Sequence, residues 1–190
     1  MEEENVKFFK ENGYCILKSV IPQYMIDFIK KYALFDEIQN FKTDAQVPGY
    51  HSKYGDPAME SLLLMLRDTI EKNSGFKLYP TFSYYRVYRN GSNLPVHKDR
   101  EIAEISGTLC LGHNYKDEEY QWPIYFEGIP CPLKQGDMAI YKGIEMTHWR
   151  DELQGPENCW HIQGFFHYVN ANGPWAHLKY DGRKHIGAKR

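Results

Sequence analysis

From Phe76 onward, short runs rich in Tyr, Phe, Ile and Val alternate with Gly, Pro and Asn breakers, and this pattern restricts the chain more than any other. The runs are Leu78–Tyr88, Ile102–Leu111, Trp122–Phe126, Met138–Tyr141 and Trp160–Val169. Aromatic and β-branched residues fit the pleated, half-buried surface of a strand. Several short strands separated by turn signals build a sandwich or a barrel. Aromatic residues reach 15% of the sequence, with 15 Tyr, 10 Phe and 4 Trp. Such a load suits strands and a walled cavity better than a helical bundle.

The residues before this region read differently. Val6, Phe8 and Phe9 precede the stop signal Asn12-Gly13, and Tyr14–Leu17 is a short apolar run expected to form a strand. Pro22 opens a helix expected from Gln23 to about Leu34, where its missing N–H has no partner to lose. Residues 35–54 lack periodicity and contain Pro48 and Gly49; this loop is expected near a cavity mouth, with a plain connector as the competing reading. A second helix follows, with Asp56 as N-cap, Pro57 at its first position, a buried stripe of Leu62, Leu63, Leu66 and Ile70, and Gly75 as terminator. The expected organisation is a single domain over residues 1–190. It comprises a helical support region (1–75), a β core (76–170) and a polar surface-bound or frayed tail (171–190).

Composition removes several function classes. Lys+Arg 23 against Asp+Glu 25 gives a net charge of −2, so no basic field gathers nucleic acid. The longest uncharged stretch, Asn158–Leu178, carries Asn, Gln, His, Gly and Pro and does not span a membrane. The opening Met-Glu-Glu-Glu-Asn has no apolar signal region. The four cysteines form no CxxC, and reduced thiols in a cytoplasmic protein are the simplest reading.

Among the eight histidines, one arrangement carries chemistry. His97-Lys98-Asp99 is an H-x-D pair, and residues i and i+2 of an extended strand share a face. His148 follows a turn and strand, Gly136–Tyr141, that can return the chain to the same place. Two imidazoles and one carboxylate occupy one face of an octahedron and leave adjacent positions open, which suits Fe(II) and O2 chemistry. His51, His113, His177 and His185 show no partner pattern and read as surface residues. Arg150 reads as a neighbour of Asp99 or of a substrate acid, or equally as a surface ion pair with Asp151 or Glu152.

The order of the surrounding segments strengthens the H-x-D signal. Tyr88-Arg89-Asn90-Gly91 precedes it, Ile105–Leu111 follows, and then come Trp122–Phe126, Leu133–Asp137 and Met146-Thr147-His148. Over about residues 82–169 this order resembles the non-haem Fe(II)/2-oxoglutarate-dependent dioxygenases of the prolyl-hydroxylase-like group. The resemblance implies a mainly β protein with N-terminal helices: a double-stranded β-helix (jelly roll) with helices packed on one sheet. It also implies iron held by His97, Asp99 and His148, with 2-oxoglutarate as co-substrate and O2 as oxidant. The activity implied is hydroxylation of a C–H bond in a small molecule or protein side chain, with release of succinate and CO2.

The sequence departs from that group at the co-substrate anchor. Members place an Arg or Lys at the start of the penultimate core strand, about ten residues after the distal His, whereas Glu157–Gln163 supplies neither. His161 is the substitute by position, with Gln163 or His167 adding a hydrogen bond. Arg86 is the alternative cation; it shares a strand face with Tyr88, which stands where the group often carries a co-substrate Tyr, and Thr108 is a further candidate. The missing Arg or Lys keeps a second class open. The same three ligands suit Zn²⁺ or Mn²⁺ in a jelly-roll hydrolase or isomerase, and a non-catalytic binding module is a third reading.

Overall fold

Strand alternation sorts the side chains of the β core into two environments. The structure, a computed structural model, describes residues 2–189. Its elements run α1 (Glu2–Asn12), β1 (Tyr14–Leu17), α2 (Gln23–Gln39), β2 (Ser52–Tyr54), α3 (Pro57–Ser74), β3 (Leu78–Arg89), β4 (Leu94–His97), β5 (Ile105–His113), β6 (Ile124–Phe126), β7 (Ile129–Cys131), β8 (Met138–Lys142), β9 (His148–Arg150) and β10 (Trp160–Asn170). Short 3-10 segments lie at Glu101–Ala103 and Ala176–Gly182.

One sheet has the order β1-β8-β5-β10-β3-β2 and the other β4-β9-β6-β7. The pairings are antiparallel. Tyr85 and Val87 of β3, Leu109 and Leu111 of β5, Ile140 of β8, and Ile162 and Phe166 of β10 form one core with Phe9, Ile26, Ile29, Leu63 and Ile70 of the helices. The intervening residues of the same strands face the smaller sheet: Cys110, Ala139 and Tyr141 pack with Ile124 and Phe126. This is the double-stranded β-helix with helices on one sheet that the sequence leads one to expect.

The signals at α3 act as read. The Asp56 carboxylate accepts from the amides of Ala58 (3.0 Å) and Met59 (3.4 Å), and Gly75 closes the helix at φ +78°. Helix α2 runs five residues beyond the expected Leu34, because nothing interrupts helical geometry before Asn40. Its extension buries Asp36, whose carboxylate is bonded by Lys53 (2.8 Å), Asn40 (2.9 Å), His51 (3.2 Å) and the Tyr85 hydroxyl.

Two expectations need correction. His51 and His113 are buried, at 0% and 5% exposure. His51 is held by Asp36 and Tyr85, and His113 by the Tyr115 carbonyl (2.9 Å) and Asp117 (3.4 Å). Of the two readings of the tail, surface-bound fits and frayed does not: most of its residues are exposed or half-buried, while Arg183 is buried, pairs with Glu60 (2.6 Å) and donates to the Thr81 carbonyl (2.9 Å). The four cysteines are free thiols, all buried. Among the described residues no helix is long and apolar enough to cross a membrane.

Candidate metal centre and its cavity

Strands β4 and β9 are neighbours in the smaller sheet, and their register sets His97 opposite His148. Asp99 lies beyond the end of β4, so strand alternation does not place it. Its amide instead donates to the Gly143 carbonyl at 2.9 Å, which turns the carboxylate back toward the two histidines. Asp99 Oδ1 is then 3.7 Å from both His97 Nε2 and His148 Nε2, and the rings are 4.2 Å apart between centroids. All three ligand atoms fall within 4.8 Å of one another, a spacing at which one cation can touch all three.

The surroundings fix which atoms face that point. His97 Nδ1 lies 2.7 Å from the Pro95 carbonyl and His148 Nδ1 lies 3.0 Å from the Met146 carbonyl. A carbonyl only accepts, so each Nδ1 carries the proton and each Nε2 presents a lone pair. The Ser106 hydroxyl is 3.0 Å from Asp99 Oδ2, which leaves Oδ1 turned to the histidines. Ser106 also contacts His167 Nδ1 at 2.8 Å. Burial keeps His148 below the usual histidine range against the pull of Asp99, and burial pushes His167 down to about 4. Both are neutral at pH 7, and neutral imidazole is the form that ligates. Two imidazole nitrogens and one carboxylate oxygen on one side fit iron of the facial-triad kind.

The triad lines a cavity of about 530 Å³. Tyr84, Phe165 and His167 form part of its wall, with Asp44 from residues 40–51 and Asp181 from the tail. The segment expected at the mouth therefore does reach it. Arg86 also lines the cavity, and its charge is met by Asp44 at 2.7 Å. It further donates to Gln46 (3.2 Å) and to the Tyr88 hydroxyl (3.0 Å). The Tyr84 hydroxyl donates to the same Asp44 oxygen at 2.5 Å. Burial alone would raise the Asp44 carboxyl, but Tyr84 and Arg86 hold it well below the carboxylate range.

The remaining sequence candidates form a second cluster inside the barrel. Gln163 Nε2 donates to Thr108 Oγ1 (2.6 Å), and His161 Nε2 lies 2.8 Å from Gln163 Oε1. The Tyr115 hydroxyl meets His161 Nδ1 at 2.8 Å. Burial and the nearby Arg150 push His161 well below the histidine range, so it carries no charge. Tyr88 packs edge-on against Trp122.

Arg150 belongs to this cluster and not to the surface. It is 1% exposed and pairs with neither Asp151 nor Glu152, because β9 turns it inward while Asp151 faces out. It does not pair with Asp99 either, whose second oxygen is taken by Ser106. Its guanidinium donates to the Trp122 carbonyl (2.5 Å) and Gln163 Oε1 (3.2 Å) and lies 4.6 Å over the Trp122 ring. The signal in the sequence was its place two residues after His148, on the same strand face.

No family model and no curated protein matches the chain. Solved structures do. The epimerase SnoN in complex with Fe3+, alpha ketoglutarate and nogalamycin RO superposes with a TM-score of 0.74 at 13% identity, over 99% of this chain and 92% of that one. A Pseudomonas putida prolyl-4-hydroxylase gives 0.66 at 14% identity, over 88% and 98%. A Trichoplax adhaerens prolyl hydroxylase in complex with a hypoxia inducible factor peptide gives 0.67 at 13%, over 89% and 90%. The chain shares the fold of these proteins over nearly its whole length.

Proposed function

We propose that the chain is an Fe(II)- and 2-oxoglutarate-dependent oxygenase that hydroxylates a C–H bond of a small molecule or protein side chain. The observation that carries this reading is the convergence of His97 Nε2, His148 Nε2 and Asp99 Oδ1 on one point in the wall of a sizeable cavity. The solved structures that share the fold add support, since SnoN is complexed with Fe3+ and alpha ketoglutarate.

In this reading His97, Asp99 and His148 hold the iron, and Ser106 keeps Asp99 oriented. Iron with 2-oxoglutarate and O2 supplies the oxidation, the co-substrate leaving as succinate and CO2 while one oxygen atom goes to the substrate. The chain's own work is positioning and exclusion. Tyr88, Thr108, His161 and Gln163 offer neutral hydrogen-bonding groups to the co-substrate. Tyr84 and Phe165 wall the cavity and limit water near the metal. Asp44, held by Arg86 and Tyr84, fixes residues 40–51 at the mouth, where the substrate enters. Two imidazole donors and the Asp99 carboxylate form a donor set suited to a divalent ion.

The test is turnover. Purified protein with Fe(II), 2-oxoglutarate and O2 is expected to form succinate slowly without substrate, and His97→Ala or Asp99→Ala is expected to abolish it. Succinate at the same rate in both variants would refute the reading. Screening small molecules and peptides for accelerated succinate release then identifies the substrate.

A further inference from the structure

Arg150 poses a problem that the fold by itself does not solve. It is a fully buried cation, and among the described residues no carboxylate pairs with it. A carbonyl, an amide oxygen and the face of Trp122 surround it, and its Nε has no hydrogen-bond partner. A buried charge without a counter-ion is costly. Arg86, the other buried arginine of the barrel interior, shows the contrast: Asp44 neutralises it.

The surroundings of Arg150 suit an acid from outside the chain. Tyr88, Thr108, His161 and Gln163 are neutral polar groups, and none competes for the guanidinium as an anion. Leu94, the cross-strand partner of Arg150, lines the metal cavity. His148 and Arg150 lie two residues apart on one face of β9, about 6.6 Å along the strand. That advance is comparable to the length of a five-carbon dicarboxylate. A dicarboxylate held at the metal by one end is long enough to span that advance, with Arg150 and its polar neighbours lying behind the cavity wall that Leu94 helps to form.

We propose that Arg150, on the strand that carries the distal histidine, receives the far carboxylate of 2-oxoglutarate through its guanidinium. This assignment rests on the functional reading above. It takes the anchoring role from both Arg86, whose charge is already met, and His161, which is neutral. Gln163 turns its amide from Arg150 toward the incoming acid, and Thr108 supports it.

The test uses anaerobic, Fe(II)-loaded protein and two probes, 2-oxoglutarate and 2-oxopentanoate. The second keeps the keto acid end and replaces the far carboxylate by a methyl group. The readouts are the visible charge-transfer band and calorimetric affinity. Wild-type protein should prefer 2-oxoglutarate by about 30-fold or more, the scale of a charge-assisted hydrogen-bond pair. Arg150→Gln should lose about 30-fold in 2-oxoglutarate affinity, while Fe(II) and 2-oxopentanoate affinities stay close to wild type. Gln163→Glu keeps the arginine and the side-chain volume but gives it an internal carboxylate; it should show the same selective loss even if the Arg150 variant fails to fold. Arg86→Gln should leave the preference in place. The proposal is overturned if Gln163→Glu retains the wild-type preference, or if the loss follows Arg86→Gln instead. A wild-type protein that binds Fe(II) and gives no band with 2-oxoglutarate would overturn the functional reading and this assignment together, whereas failure of the anchor alone leaves the wild-type band intact.

Discussion

Gly143 and Asp99 are packed so closely that the Asp99 carboxylate leaves no room for a side chain at position 143. A Cβ placed there falls 2.6 Å from Asp99 Oδ2 and 2.1 Å from the Ala103 carbonyl oxygen. The same glycine accepts the Asp99 amide at 2.9 Å. The turn after β8 thus sets the position of Asp99 against His97 and His148. Gly143→Ala should cost about 1–3 kcal/mol by overpacking and, by displacing Asp99, weaken Fe(II) at least tenfold. Thermal unfolding and metal titration of the variant check both parts.

Ser106 tests how much the metal depends on its supports. Its hydroxyl lies 3.0 Å from Asp99 Oδ2 and 2.8 Å from His167 Nδ1. Removing a group that orients a ligand lowers metal affinity by about 10–100-fold in other centres. Ser106→Ala should fall in that range with the fold intact, as read by Fe(II) titration beside circular dichroism.

Asp36 is the hub that fastens α2 to the strands behind the site. Burial favours its neutral form, but Lys53, Tyr85 and Asn40 override this and hold the carboxyl at about 2, below its usual 3.8. A group with a lowered folded pKa stabilises above its unfolded value, and the contribution is lost as pH falls through the folded one. Asp36→Ala should cost about 3 kcal/mol at pH 7. The gap between wild type and Asp36→Asn in urea unfolding should shrink as pH falls from 3.8 toward 2.

Asp44 joins the mouth segment to the barrel through Arg86 and Tyr84. Its other oxygen accepts the amides of Gln46 (2.7 Å) and Val47 (2.9 Å). Asp44→Ala removes all of these at once. Amide exchange over residues 43–49 should accelerate at least tenfold, while Fe(II) affinity stays within about twofold, because Asp44 touches none of the ligands. Hydrogen exchange with mass detection measures the first, and metal titration the second.

The sequence was most legible where periodicity and punctuation coincide. The long strands of the larger sheet and the Asp56-capped helix carry both, and the H-x-D pair with a later His brought the triad into view. The smaller sheet was harder to see. Strands β4 and β9 have four and three residues, too short for alternation to register. Asp99 is placed by a backbone bond to Gly143, which no local pattern announces. His51 and His113 looked like surface residues because their burial depends on partners from other elements, Tyr85 of β3 for one and His161 of β10 for the other. Arg150 sits in Trp-Arg-Asp-Glu, a run that reads as exposed; only the packing of β9 on Trp122 turns it inward.

In the proposed function, His97, Asp99 and His148 hold iron in a form that 2-oxoglutarate can chelate. Anaerobic titration of the metal-free protein with Fe(II) and then 2-oxoglutarate, followed by visible absorption, tests it most directly. A weak metal-to-ligand charge-transfer band should appear that needs both components and is absent in His97→Ala and Asp99→Ala. Iron binding without the band in wild type, or an undiminished band in Asp99→Ala, would contradict it.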